Sequence, residues 1–370
     1  MLFSRRTFVA GLAAAGVVAA LPASSADRAA SPAATLPPGA KGYLRVDALC
    51  YATQGITADV VERALKGGLS AAVFDLDVYP RENVGALRAL TQWNERFFAP
   101  DANVLAVRQA ADFDRAKQAG QLGIVLACQD ANILGVPQCD FRAMLRLFHT
   151  LGLRVLQLTH NERTPWGDSF MEKRDGGLSR AGEQLVQAMN ALGLVVDLSH
   201  CSRQTLLDAV ALSQRPCAVT HAGCAALAPT ARNKSDDEIR ALGKAGGFFG
   251  VYNMTTWLTA GPAASLATVL DHIDHAVQLI GPAQVGFGSD GGLDQLDAAA
   301  ELVRMSAVQQ KHQGQPSAEW PVQHVRVPEL NAPSRLSALA EGLARRGYSN
   351  EHVNGITGGN FVRLFQRVCG

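Results

Sequence analysis

The sequence lacks a charge excess of either sign: 34 Lys and Arg stand against 33 Asp and Glu in 370 residues. That balance excludes the basic footprint of a nucleic-acid or anionic-membrane binder. Aromatic residues are scarce at 6% and charged residues sparse at 18%, but 48% hydrophobic residues exclude a disordered chain and supply a sizeable core. The one weakly apolar run near the start, Val9–Leu21, is too short to cross a bilayer, which takes about 20 residues. None of the seven cysteines forms a C-x-x-C pair, which argues against a zinc-thiolate module. An odd count also leaves at least one thiol unpaired in an oxidising compartment. No internal repeat is visible.

Ser4-Arg5-Arg6-Thr7-Phe8-Val9 is a twin-arginine pattern. The Ala/Gly/Val run follows it, and Ser24-Ser25-Ala26 offers small residues for cleavage after Ala26. Residues 1–26 therefore read as a Tat signal that exports the protein to the periplasm or beyond. Its removal takes two arginines and leaves 32 basic against 33 acidic residues. The first cysteine is Cys50, far from the cleavage site, which argues against a lipoprotein. Tat export carries folded chains, a mild argument for a cofactor acquired before export. Residues 27–42 are an Ala/Pro/Ser-rich linker, and residues 43–370 read as one domain.

In that domain, short apolar runs alternate with helical spacing. The runs are Leu44–Tyr51, Ser70–Tyr79, Gly123–Gln129, Val155–Thr159, Leu194–Ser199, Cys217–His221, Gly247–Tyr252 and Val285–Ser289. Eight buried parallel strands with helical crossovers predict a (β/α)8 TIM-type barrel of the α/β class. A doubly wound open sheet is the alternative. The polar, Gln-rich stretch Leu296–Val327 reads as a long loop or helical insertion.

In such a barrel, chemistry sits at the C-terminal strand ends. There the sequence places His160, His200, His221 and Asp290. One histidine alone would read as a satisfied core residue; three with an aspartate point to a shared site. His200 and His221 close successive strands, so their rings can converge on a first-row metal, zinc by donor type. Two histidines need a further ligand. Asp290 is a candidate ligand or acid/base, and His160 and Arg232 are candidates for oxyanion and carboxylate binding. A helix-flanking salt bridge is as good a reading of Arg232. Gly286-Phe-Gly-Ser-Asp-Gly291 fits G-x-G-x-x-G but lacks the following helix and strand of a dinucleotide site. His272 and His275, interleaved with Asp271 and Asp274, read as packing residues.

Several motifs together resemble the membrane (renal) dipeptidase family of zinc peptidases. They include Leu158-Thr-His-Asn, Pro165-Trp166-Gly-Asp-Ser169, Gly177-Leu-Ser-Arg-Ala-Gly182 and Asn190-Ala-Leu-Gly-Leu-Val-Val-Asp-Leu-Ser-His200. Thr220-His221, Arg232-Asn233, Gly286-Phe-Gly-Ser-Asp290, Arg346-Gly-Tyr-Ser and Gly358-Gly-Asn-Phe-Val-Arg-Leu-Phe365 continue the match. It runs from about Leu44 to Val368. The resemblance implies a metallo-dependent hydrolase barrel that cleaves dipeptides with two zinc ions, often as a homodimer. It makes His200 and His221 ligands of the second zinc, His160 the carbonyl-polarising histidine, Arg232 the carboxylate-binding arginine, and Asp290 the catalytic or amine-binding aspartate.

The first zinc site departs from the family. Its His-x-Asp pair is replaced by Leu49 and Tyr51, and its bridging Glu by Gln129. Two dications about 3.5 Å apart repel by roughly 20 kcal/mol at an effective dielectric near 20. Without the bridging carboxylate, one zinc ion or none is expected rather than two. Asp47, on the strand face of Leu49 and Tyr51 by alternation, and Asp75 or Asp77 are compensating ligands if they face the barrel mouth; for Asp75 and Asp77 the alternative is pairing with nearby Arg or Lys. The residues leave several readings open. One is a metal-dependent hydrolase with an altered or mononuclear zinc site, acting on a dipeptide or related small amide. Others are a maturation enzyme acting on a peptide-derived small molecule, and a catalytically degenerate binding protein on the same scaffold. All take a small-molecule or dipeptide-like partner.

Overall fold

The computed structural model describes residues 43–51, 56–76, 82–97, 99, 103–138, 140–261, 263–311 and 323–370. The segments read as a Tat signal and a linker, and Asp77, lie outside the described residues.

Among the described residues nine parallel strands form the sheet: β1 (Val46–Tyr51), β2 (Ala71–Asp75), β3 (Val104–Ala106), β4 (Leu122–Cys128), β5 (Leu153–Gln157), β6 (Val195–Asp197), β7 (Ala218–Ala222), β8 (Phe248–Val251) and β9 (Val285–Phe287). Eight of them follow the order β1-β2-β4-β5-β6-β7-β8-β9, and β3 pairs with the start of β4 off that path. The circle is completed by Tyr51 N–H to the Gly291 carbonyl and Asp290 N–H to the Leu49 carbonyl, each 2.9 Å. This is the expected (β/α)8 barrel. The sequence reading misses β3, whose three residues are too short to show a period.

Alternation along the strands separates two apolar clusters. Val46, Val73, Val125, Val155, Val195 and Phe248 fill the barrel, closed at one end by Phe361, Phe365 and Val368 of the helix Asn360–Cys369. Burying each phenylalanine contributes about 1.5–3 kcal/mol. Phe74, Leu126, Leu156, Val196, Val219 and Phe249 face outward against the helices. Those helices start at side-chain caps: Ser179 Oγ accepts from Gly182 N, and Ser202 Oγ from Thr205 N. The six described cysteines are all free, and only Cys369 is not fully buried.

One irregularity changes the site. Asp47 pairs with Ala72 and Cys50 with Phe74, so three steps along β1 span two along β2. The extra residue is a bulge, and it moves Asp47 and Leu49 off the common face expected from simple alternation. Asp47 belongs instead to the wall facing the helix Arg335–Arg345. Its Oδ1 accepts from Ser289 N at 2.7 Å, and Oδ2 lies 3.6 Å from Arg335 Nη1. Asp47 is thus paired with an arginine in the wall and does not line the cavity at the barrel mouth.

The insertion after β9 is partly helical, Ala298–Lys311. Residues 323–327 then return along the loop after β8: Thr255 N–H bonds the Val325 carbonyl at 2.9 Å, and Val327 N–H the Asn253 carbonyl at 3.0 Å.

Candidate active site

At the C-terminal ends of the strands lies a cavity of about 390 Å³. His160, His200, Arg232 and Asp290 all reach its wall, with Tyr51, Asp75 and Gln129 from β1, β2 and the end of β4. His221 is fully buried behind His200.

The histidine pair is held from below. Asp197 at the end of β6 is buried and accepts from Ser199 Oγ at 2.5 Å and Thr220 Oγ at 2.7 Å. Burial pushes the Asp197 carboxyl up, against the hydrogen bonds from Ser199 and Thr220 that favour its charge. With Asp197 ionised, the Thr220 hydroxyl spends its one hydrogen there. It must therefore accept from His221 Nδ1, 2.8 Å away. Asn161 Oδ1, 3.1 Å from His200 Nδ1, likewise accepts from that nitrogen. Both histidines thus carry hydrogen on Nδ1 and turn Nε2 toward one another, 3.0 Å apart. Burial, reinforced by Arg232, pushes His221 well below the ordinary histidine range, so its ring is neutral. His160 stacks on His200 at 4.4 Å. Glycines permit the close strand packing: a Cβ at Gly250 or Gly288 would stand 2.1 or 2.2 Å from the Thr220 carbonyl oxygen.

Arg232 is buried, with Nη1 on the Ser199 carbonyl at 2.6 Å and Nη2 on the His221 carbonyl at 3.0 Å. It is therefore a fixed wall of the pocket. The helix-flanking salt bridge read as its alternative is not formed among the described residues. Asp290 adopts a left-handed backbone, φ 51°, unusual for a non-glycine residue and common at functional sites. Burial pushes its carboxyl up, while Arg326, Arg232 and Arg304 pull it down.

The positions that depart from the family pattern are not vacant. Leu49 is fully buried and apolar. Gln129 donates N–H and Nε2–H to the two oxygens of Asp75, at 3.0 and 3.1 Å, and its own buried Oε1 has no partner among the described residues. The Tyr51 hydroxyl donates to Glu301 Oε1 at 3.0 Å and accepts from Arg304 Nη2 at 2.8 Å and Arg326 Nη2 at 2.6 Å. Burial holds the Tyr51 phenol well above its ordinary range, so it stays protonated. Sequence reasoning missed Glu301, Arg304 and Arg326, because all three lie in the stretch read as an insertion.

A parallel barrel with histidines, an arginine and an aspartate converging at its strand ends belongs to the metallopeptidase and amidohydrolase class. Residues 56–306 match the membrane dipeptidase family, peptidase family M19, and the chain belongs to that family. It is 33% identical to dipeptidase aclJ of Aspergillus oryzae over 231 residues, 61% of this chain and 48% of that protein. It is 30% identical to human dipeptidase 3 over 233 residues, 61% of this chain and 42% of that one. The chain thus spans about half the length of the known relatives it matches. Among solved structures, an amidohydrolase from Pseudomonas aeruginosa superposes with a TM-score of 0.77 at 26% identity, covering 89% of this chain and 97% of that one. A metallopeptidase from Rhodobacter sphaeroides, liganded with a phosphinate mimic of L-Ala-D-Ala, gives 0.69 at 20% identity, covering 88% and 99%.

The family implies a metal, typically zinc. Among the described residues no three His, Cys, Asp or Glu side chains gather as a ligand set, for one ion or for two. The ground of the first ion holds a leucine, an amide and a tyrosine bonded by guanidinium groups. The histidine pair does fit one ion: two Nε2 atoms 3.0 Å apart are close to the ~3.3 Å edge of a tetrahedron with Zn–N near 2.05 Å, and each ring is oriented by an Nδ1 partner.

Proposed function

We propose that this is an exported dipeptidase-family protein that binds a dipeptide or related small amide and hydrolyses it with one metal ion, not two. The observation that carries the reading is the convergence of the His200 and His221 Nε2 atoms, 3.0 Å apart at the strand ends, the spacing of two nitrogen ligands on one ion. Zinc suits two imidazoles, and when bound it supplies Lewis acidity toward a carbonyl oxygen.

The other residues bind and orient. Arg232, anchored on two backbone carbonyls, keeps donors for the ligand's carboxylate. Asp290 and the unpartnered Gln129 Oε1 are acceptors for its ammonium or amide N–H. Asp290, whose burial-raised carboxyl takes a proton more readily, also suits proton transfer to the leaving amine. His160, stacked on His200 at the cavity wall, is placed to donate to the reacting carbonyl. A phosphinate dipeptide mimic bound by a protein of this fold fits a ligand of that class. Export through the Tat route agrees with five fully buried free thiols, which suit a chain that folds in a reducing compartment.

The test is turnover of L,L- and L,D-dipeptides with added Zn²⁺ or Co²⁺. Metal-dependent hydrolysis, lost in His200→Ala and weakened in Arg232→Met mainly through KM, is expected. Turnover unchanged by His200→Ala would overturn the reading. The packed Tyr51 cluster favours a second reading, a binding protein without turnover; dipeptide-induced thermal stabilisation without hydrolysis would select it.

A further inference from the structure

The residues around Tyr51 are organised about a cation that is not a metal. Arg326 is 3% exposed, and each of its five N–H donors has an acceptor. Nε bonds Glu301 Oε2 at 3.0 Å. Nη1 bonds Asn253 Oδ1 at 3.3 Å and the Ser289 carbonyl at 3.2 Å. Nη2 bonds the Tyr51 hydroxyl at 2.6 Å and Glu301 Oε1 at 3.4 Å. The guanidinium also lies 5.5 Å from the centre of the Tyr51 ring. Its backbone is pinned by the antiparallel bridge Met254–Arg326, so the charge is delivered by an anchored segment and not by a mobile side chain. A metal site lost by decay would leave buried carboxylates without counter-charge, each costing several kcal/mol. Here Glu301, buried beside Tyr51, is paired bidentately with Arg326, and Tyr51 stands where the resemblance puts the first ion's Asp.

We propose that Arg326 is a built-in cation that takes the place of the first metal ion, with Tyr51 and Glu301 as its ligand-like partners, so that this half of the pocket is charged without metal. The loss of the family's ligands is then a replacement: an ion exchanging with solvent has given way to a charge encoded in the chain. Arg326 has no donor left for a ligand, so it acts as a fixed positive wall. Arg304, bonded through Nη2 alone to Tyr51 and Glu301 with a 46% exposed side chain, is the member of the cluster that meets ligand.

The test counts metal on the full chain. Leu49→His, Tyr51→Asp and Gln129→Glu together restore the family's ligand types. With Arg326 present, this triple variant should bind no more zinc than the parent. With Arg326→Met added, it should gain one zinc per chain. The increment is what tests the replacement, so it stands even if the parent binds no ion and the single-ion reading fails. A triple variant that gains a zinc with Arg326 intact overturns the proposal, as does a quadruple variant that folds and gains none. If the restored variants do not fold, the unaltered protein decides. Titrated with excess Zn²⁺ it should never exceed one ion at the barrel mouth, and a second ion abolished by Tyr51→Phe would overturn the idea.

Discussion

Breaking the Arg326–Glu301 pair should destabilise the barrel more than any surface change. Both side chains are buried, at 3% and 5% exposure, and their contact is bidentate. Arg326→Met leaves a buried carboxylate facing a thioether, and removing one partner of such a pair costs about 3–5 kcal/mol. Arg304 still bonds Glu301 Oε1 at 3.2 Å, which places the loss near the lower end, about 3 kcal/mol. At about 2 °C per kcal/mol for a large domain, calorimetry should show a fall in Tm of about 6 °C. Glu301→Gln should cost a similar amount, since it strips Arg326 of its hydrogen-bonded counter-charge. The double variant removes both charges together, so it should be more stable than the sum of the single losses predicts, with a coupling of about 2 kcal/mol. The measurements belong in chelator as well as in zinc, because a pair that replaces a metal should give the same values in both. A loss under about 1 kcal/mol for Arg326→Met, or strict additivity in the cycle, would refute the reasoning.

Asn161→Ala removes the acceptor that orients His200; zinc affinity should fall about 10–100-fold with little change in Tm, read by competition with a chromogenic chelator. His272 is buried, with Nδ1 accepting from Cys224 N at 2.9 Å and Nε2 donating to the Leu258 carbonyl at 3.0 Å. Burial holds its pKa below the ordinary value, so the unfolded chain binds the proton first as pH falls. Stability should be full above pH ~6.5 and decline below it by up to about 1.4 kcal/mol per pH unit, a slope that His272→Gln should reduce in urea denaturation at pH 7 and 5.5. Gly250→Ala drives a methyl group against the Thr220 carbonyl, so it should cost about 1–3 kcal/mol and weaken zinc binding through His221, whereas Ala at the open position Gly120 should leave zinc binding unchanged.

The barrel was legible because each strand is a short apolar run closed by a polar residue. His160, His200 and Asp290 stand out for that reason: a buried parallel strand has no need of a polar residue except where it ends in a site. Leu49, Tyr51 and Gln129 could be noticed only by comparison with a family pattern, since each is unremarkable alone. The bulge in β1 left no trace in the sequence. Nothing in Asp47-Ala-Leu-Cys-Tyr51 shows that an extra residue turns Asp47 away from Tyr51, because the bulge is set by pairing with β2. Arg326, Glu301 and Tyr51 were equally hidden, with 275 and 250 residues separating Tyr51 from its two partners. A charge in a polar stretch reads as solvated until the fold brings it inside.

The most direct measurement is the metal content of the protein, purified without chelator or added metal. One zinc per chain, absent from His200→Ala and retained in Tyr51→Phe, is the predicted result. Two ions per chain, or an unchanged content in His200→Ala, would contradict a single-ion site at His200 and His221.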